Sequence, residues 1–67
     1  MAVSVKAAKP ITVKAAWDDD ALVWYVEASD LPGLHIEAMT IDELRDKLPG
    51  AIEDLLEKPY PFDLITP

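Results

Sequence analysis

The sequence predicts a small α+β domain of two layers, in which one helix packs against an antiparallel sheet. Two observations predict the sheet. Apolar residues recur at alternate positions over residues 11–17, and residues 22–28 form a second run rich in β-branched and aromatic side chains. The third observation is one apolar stripe at helical spacing over residues 41–55. A chain of 67 residues has room for one domain, and the predicted order of elements is β-β-β-α-β.

The first two strands are expected to form a hairpin. Aspartates at positions 18–20 interrupt the first run, and aspartate suits turns because its side chain bonds nearby backbone N–H groups. A four-residue loop over residues 18–21 places Ala15 opposite Trp24. Trp17 and Trp24 are therefore predicted to lie in the core under the helix.

A turn and a third strand follow the hairpin. Pro32-Gly33 has the chemistry of a type II turn, because proline presets its own φ and glycine accepts the positive φ that follows. Residues 34–38 are predicted to form the third strand of an antiparallel meander. Thr40 and Glu43 then match a capping box, in which both side chains satisfy free backbone donors at the start of a helix.

The helix that follows contains an interruption. Pro49 removes one backbone hydrogen bond and Gly50 lowers the helix propensity, yet the apolar stripe stays in phase across the pair. We therefore expect either one kinked helix or two short helices lying over the sheet. Pro59 ends the helical pattern, and residues 60–65 are compatible with a short fourth strand, which the nearby prolines would confine to an edge.

The domain is small enough to need a further source of stability. Residues 1–10 are interpreted as an N-terminal extension and residues 11–67 as the domain. Domains of this size are marginal unless disulfides, metals or oligomerisation assist. The chain has no cysteine and one histidine, so a homo-oligomer, most simply a homodimer, is expected.

The charge of the chain is acidic and unevenly distributed. Residues 1–17 carry three lysines and no acid (+3), whereas residues 18–57 carry twelve acids against two basic residues (−10), within a total of −7. An acidic field repels phosphates and attracts basic proteins. Direct nucleic-acid binding is therefore not expected.

Membrane insertion and cofactor binding are also not expected. No apolar run reaches membrane-spanning length, because lysines and Pro10 interrupt the start of the chain. Both glycines follow prolines, so there is no glycine-rich phosphate loop. The absence of cysteine fits a reducing compartment, and a cytoplasmic protein is expected.

No catalytic or metal-binding constellation is recognisable. His35 is the only histidine, and it shares a predicted strand face with Glu37. The aspartates at positions 18–20 lack the spaced ligands and closing glutamate of a calcium loop, so a solvated turn is the simpler interpretation. No catalytic, cofactor or metal residue is therefore assigned.

One face of the predicted sheet is left without a covering layer. The helix covers one side only, while Val23 and Tyr25 alternate onto the other. His35 should lie on that side too, since it alternates with apolar neighbours. A partly apolar, uncovered face favours a partner, and the predicted partner interface is Val23, Tyr25 and His35.

Several motifs in a fixed order resemble a known family. An Asp30-Leu-Pro-Gly33 turn is followed by a short strand, then by Thr40-Ile-Asp-Glu43 capping a helix. This order and spacing, covering about residues 11–58, resembles the small HicB-like antitoxin domains, and especially a short uncharacterised branch of that superfamily.

The resemblance implies a partial RNase H-like fold, with three antiparallel strands, a helix and a fourth strand beside the first, and without the nuclease chemistry of RNase H enzymes. Antitoxins of the family bind and block a small basic mRNA-cleaving toxin, HicA. Many add a C-terminal DNA-binding segment. Only eight residues follow Pro59 here, so DNA binding is not carried over.

Three functions follow as hypotheses. The first is a non-catalytic protein-interaction module resembling HicB antitoxins, which neutralises a small basic mRNA-cleaving toxin. The second is a structural homo-oligomeric domain with no toxin partner. The third is a small hydrolase that uses His35 with Glu37 or Asp30.

Overall fold

A computed structural model describes residues 9–67 as four strands and one helix. The strands are β1 (Ile11–Asp18), β2 (Val23–Ser29), β3 (Glu37–Ala38) and β4 (Phe62–Ile65), and the helix α1 (Ile41–Leu56) precedes β4. The sheet has the order β3-β2-β1-β4, with β1 antiparallel to β2 and parallel to β4. The predicted α+β class and β-β-β-α-β order are confirmed. The extension predicted for residues 1–10 falls mostly on residues 1–8, which lie outside the described part of the chain.

The register of the hairpin differs from the prediction by two residues. Trp17 pairs with Trp24 and Asp18 with Val23, so that the loop comprises residues 19–22. The Asp18 side chain accepts hydrogen bonds from the backbone N–H groups of Asp20 (2.9 Å) and Ala21 (3.2 Å), which fixes the loop after Asp18 rather than before it. Over residues 15–18 and 23–26, a shift of two residues keeps each side chain on its predicted face, since strand side chains alternate with period two.

A β-bulge changes the pairing further along the same strands. Ala15 pairs with Val26, but Lys14 pairs with Ala28, which leaves Glu27 as the extra residue on β2. The Glu27 carboxylate lies 3.9 Å from the Lys14 ammonium. Nothing in the composition of this run marks the bulge in advance.

The turn after β2 has the predicted conformation. Gly33 has a φ of 86°, and the N–H of Leu34 donates to the carbonyl of Leu31 at 3.4 Å, as a turn with Pro32 and Gly33 at its centre requires. The third strand is shorter than the predicted 34–38, since only Glu37–Ala38 pair as a strand with β2.

The helix is one continuous element of 16 residues with Pro49 inside it, so the alternative of two short helices is wrong. Its start is the predicted cap: Thr40 Oγ1 accepts the N–H of Glu43 at 3.1 Å, and Glu43 Oε1 accepts the N–H of Met39 at 3.0 Å. Its end is a left-handed residue, Glu57, with a φ of 62°. Within residues 9–67, no helix is long and apolar enough to cross a membrane.

The core lies between α1 and one face of the sheet. From the helix, the buried side chains are Leu44, Leu48 and Ile52, and they pack against the buried side chains of the strands and of the loop before β3. Those partners are Ile11, Val13, Ala15, Leu34 and Ala38.

Two apolar residues predicted for the core are more exposed than expected. Trp17 is 41% exposed, because it lies at the end of β1, where it packs edge-on against Trp24 with ring centroids 5.7 Å apart. Leu55 of the helical stripe is 44% exposed. Trp24 is half-buried and packs on the cluster around Ala15 and Leu44, as predicted.

We expect replacement of Leu48 by alanine to lower the free energy of unfolding by about 2–5 kcal/mol, because Leu48 is fully buried and its loss leaves a cavity. Urea denaturation followed by tryptophan fluorescence measures the change. Leu55→Ala, on the same helix at a 44% exposed site, is the matched control and should lower the free energy of unfolding by clearly less. Equal losses in the two variants would contradict this packing.

Alanine substitutions at the two glycines should change the free energy of unfolding in opposite directions. A Cβ at Gly50 would meet nothing within 4 Å in the helix, so Gly50→Ala should raise the free energy of unfolding by about 0.5–1 kcal/mol through helix propensity. Gly33→Ala should lower it, since the φ of 86° strains any L side chain. Thermal unfolding by circular dichroism measures both, and a stabilising Gly33→Ala would be inconsistent with the turn.

Candidate interaction face

The sheet face turned away from α1 is called here the open face. Strand alternation places on it every second residue of each strand, opposite to those that contact the helix. Its members on the four strands, together with His35 two residues before β3, are Thr12, Lys14, Ala16, Asp18, Val23, Tyr25, Ala28, Glu37, Asp63 and Ile65.

The strand register arranges the centre of the open face in two rows. One row crosses three strands, with Ala16 of β1 beside Tyr25 of β2 and Tyr25 beside Glu37 of β3. The other row pairs Asp18 with Val23. Val23 and Tyr25 are half-buried, although they lie on the side that α1 does not cover.

A cavity of about 240 Å³ is lined by residues of both rows, and all three residues of the predicted interface are among them. Val23, Tyr25 and His35 are thus brought together. The other lining residues are Asp18 and Glu37, and Val26 and Ile36, which also pack on the core. His35 is exposed, whereas Asp18 is half-buried. The cavity lining therefore combines one tyrosine, three aliphatic residues, one histidine and two acids.

The charged residues of the open face are the Lys14–Glu27 pair, Asp63 on β4, and Asp18 and Glu37 at the cavity. The Lys14 ammonium and the Glu27 carboxylate, 3.9 Å apart, offset each other near the bulge. No lysine or arginine among residues 9–67 lines the cavity that holds Asp18 and Glu37. The cavity is therefore an acidic part of this face.

Asp18 has a structural role that leaves part of its carboxylate free. Both loop N–H groups bind one oxygen, Oδ1. Neither of these hydrogen bonds uses Oδ2. The residue that fixes the hairpin register therefore also lines the cavity.

The two edge strands of the sheet, β3 and β4, differ in how accessible they are for pairing with another strand. At β3, the Lys47 ammonium donates to the main-chain carbonyl of Glu37 at 3.1 Å, which occupies an acceptor of this two-residue edge strand. At the other edge, β4 is four residues long and its last residue, Ile65, is 47% exposed. The edge at β4 is therefore the more accessible one for strand pairing.

The outer surface of α1 carries a separate set of acids, all exposed. Arg45 Nη1 lies 3.4 Å from Asp42 Oδ1, so that one of these acids is paired. The acids on this surface are Asp42, Glu43, Asp46, Glu53 and Asp54. This acidic helix surface lies on the opposite side of the domain from the open face.

The hydrolase hypothesis paired His35 with Glu37 or Asp30, and the structure separates the two pairings. Glu37 lines the same cavity as His35. Asp30 does not, because its carboxylate accepts the backbone N–H of Thr12 at 3.0 Å and its own N–H donates to the Thr12 carbonyl at 3.1 Å. Asp30 thus extends the pairing of β1 with β2.

The aspartate run forms a turn, as predicted. Asp19 accepts the indole N–H of Trp17 at 3.1 Å, and Asp18 binds the loop backbone. Over residues 9–67, there is no group of three or more His, Cys, Asp or Glu side chains that could hold a metal ion.

Sequence reasoning did not assign Asp18, Ala16 or Glu37 to the interface. The alternation of Glu37 with Ile36 and Ala38 predicted the correct sheet face for Glu37. Asp18 was taken as part of the loop, so its pairing with Val23 was missed. An aspartate side chain can accept hydrogen bonds from backbone N–H groups two residues ahead while its own backbone remains in the strand. This property could have assigned Asp18 to the strand and to the interface.

The comparisons with known proteins agree with the fold and give no function. Among curated proteins, none matches this chain. The crystal structure of a hypothetical protein from the extremely thermophilic bacterium Thermus thermophilus is similar, with a TM-score of 0.70 and 38% sequence identity over 88% of this chain and 90% of that chain.

A family model matches residues 10–60, which include β1, the turn after β2 and the whole of α1. The match therefore covers more than half of the chain, including the open face of β1, β2 and β3. The chain belongs to the family described as Domain of unknown function (DUF1902).

Proposed function

We propose that this protein is a non-catalytic protein-interaction module that binds a basic protein partner through the open face. The observation that carries the proposal is the cavity on that face, where half-buried Val23 and Tyr25 lie beside Asp18 and Glu37. Apolar side chains on an uncovered sheet face gain free energy when a partner excludes water from them.

The charge of the domain supports a basic partner. A net charge of −7 on 67 residues creates a field that accelerates the encounter with a cationic protein and slows it with an anionic one. This contribution weakens as salt is added, because exposed charges are screened over about 10 Å at 0.1 M ionic strength.

The partner class we propose is a small basic mRNA-cleaving toxin of the HicA type. The support is the resemblance to HicB-like antitoxins carried by the Asp30–Gly33 turn and the Thr40–Glu43 cap. In the fold these motifs connect β2 to β3 and start α1. A protein of this kind acts by covering the toxin's catalytic surface, which requires a complementary face and no chemistry of its own.

We also propose a homodimer that forms at the free edge of β4. The four residues of β4 and exposed Ile65 offer backbone and apolar contacts, whereas Lys47 occupies an acceptor at the β3 edge. Pairing at β4 would leave the open-face cavity accessible. Dimerisation also supplies the burial that a domain of this size lacks.

The interaction proposal predicts a complex with the product of any small basic reading frame next to the gene. Co-expressed proteins should co-elute in size-exclusion chromatography, and the complex should weaken as salt is raised. Val23→Lys should abolish the complex, because it places a charged chain in the cavity. Leu55→Lys, which adds a lysine at a 44% exposed position of α1, should still form the complex.

Two results would contradict the proposal. One is no complex with either the co-expressed protein or the cellular extract of the source organism at low salt. The other is equal binding by Val23→Lys and Leu55→Lys. Far-ultraviolet circular dichroism of both variants checks that each remains folded.

The dimer proposal predicts twice the monomer mass by light scattering at micromolar concentration. Ile65→Lys should shift the protein to monomer, since it adds like charges on two facing edge strands. Leu22→Lys, at a 61% exposed loop site far from β4, is the control and should remain dimeric. A monomeric mass for the unaltered protein would contradict the proposed dimer.

A further inference from the structure

We infer that the open-face cavity is a binding site for the guanidinium group of an arginine side chain on the partner. This inference rests on the proposed interaction module and names the chemical group that its cavity takes. It goes beyond general charge attraction, because it assigns one kind of side chain to one place on the sheet.

The position of the site follows from strand pairing. Tyr25 lies in β2, an interior strand, with Ala16 on one side and Glu37 on the other. Asp18 pairs with Val23, the next residue along β2 on the same face. Neighbouring strands lie about 4.8 Å apart and same-face neighbours on one strand about 7 Å apart. The tyrosine therefore lies between two carboxylate-bearing positions.

The size of the neighbours leaves the tyrosine ring accessible. Ala16 contributes only a methyl group beside Tyr25, so no large side chain on β1 covers the ring from that direction. The cavity measures about 240 Å³. A cavity of that volume accommodates a planar group of four heavy atoms together with the end of its aliphatic stem.

The charges favour a cation. Asp18 and Glu37 line the cavity. Among residues 9–67, His35 is its only basic lining residue. Lys14 is engaged with Glu27 near the bulge. Lys47 is close to the rim, but its ammonium donates to the main-chain carbonyl of Glu37 at 3.1 Å. An incoming cation therefore meets two carboxylates and one aromatic ring.

Arginine fits this combination better than lysine or a metal ion. Guanidinium is planar, stacks on aromatic rings and donates to carboxylates in a fixed fork, whereas ammonium is a compact and strongly hydrated point charge. Cations over the ring of tyrosine are attracted by its quadrupole. A metal ion would need more hard oxygen ligands than the two carboxylates of the cavity.

The test uses two short peptides that differ only in the cation, acetyl-Gly-Arg-Gly-amide and acetyl-Gly-Lys-Gly-amide. Each is titrated into the whole 67-residue chain, and binding is followed by ¹H–¹⁵N chemical shifts. We expect shifts at residues 16, 18, 23, 25, 35 and 37, and tighter binding of the arginine peptide. The acidic helix surface should respond less than the cavity does.

Variants separate ring stacking from charge. Tyr25→Leu should lower the affinity for the arginine peptide about fivefold. Tyr25→Phe keeps the ring and should bind the peptide with unchanged affinity. Glu37→Gln should weaken it by a similar factor of about five, because one carboxylate is lost. Glu53→Gln, the same change on the exposed helix surface, is the matched control and should leave the affinity unchanged.

The arginine site is overturned if the two peptides bind equally, or if Tyr25→Leu and Glu37→Gln match Glu53→Gln. The interaction module itself is tested separately by Val23→Lys in the partner complex. A complex lost in Val23→Lys but unaffected by Tyr25→Leu and Glu37→Gln would reject the arginine site and keep the module. Arginine-peptide binding with no protein complex would reject the module instead.

Discussion

The contact between β1 and one side of α1 determines the rest of the structure. Val13 and Ala15 are fully buried against the helix, whose own buried positions are Leu44, Leu48 and Ile52. A helix of 16 residues is about 24 Å long and covers one face of a small sheet. Over residues 9–67 there is no second helix to cover the other face. In the described residues, the open face is therefore a direct consequence of a single helix packing on one side of the sheet.

The central position of β1 makes the open face a well-supported surface. β1 pairs with β2 on one side and with β4 on the other. The first described strand is therefore held in place by the last one. The N–H of Ile11 donates to the carbonyl of Pro61 at 3.0 Å, and Asp30 binds Thr12 through both its backbone and its carboxylate. Side chains on interior strands with paired backbones have few alternative positions, which suits a site that recognises a group of defined shape.

Much of this arrangement could be predicted from the order of the residues, and the failures have local physical causes. Alternation placed Val23, Tyr25 and His35 on one face, and a two-residue error in register left those faces unchanged. The loop that keeps Asp18 in the strand opposite Val23 was not predictable, since in it Leu22 adopts a φ of 59°, which leucine rarely does. Trp17 is 41% exposed although its alternation with its neighbours predicted a core position, since alternation fixes the face of a strand residue and not how far the covering layer extends over it.

The acidic charge acts differently on the two surfaces that carry it. The helix surface presents its carboxylates to solvent with one large apolar side chain, Leu55, substantially exposed among them. Such charges act at a distance, and mainly affect how fast a basic partner arrives. On the open face, Asp18 and Glu37 flank half-buried Tyr25 and Val23, so that the same contact which places a cation there also removes water from apolar surface. Charges desolvated in this way affect how slowly a partner leaves. The helix surface and the open face therefore contribute to different steps of one binding event, and added salt should slow association more than it hastens dissociation.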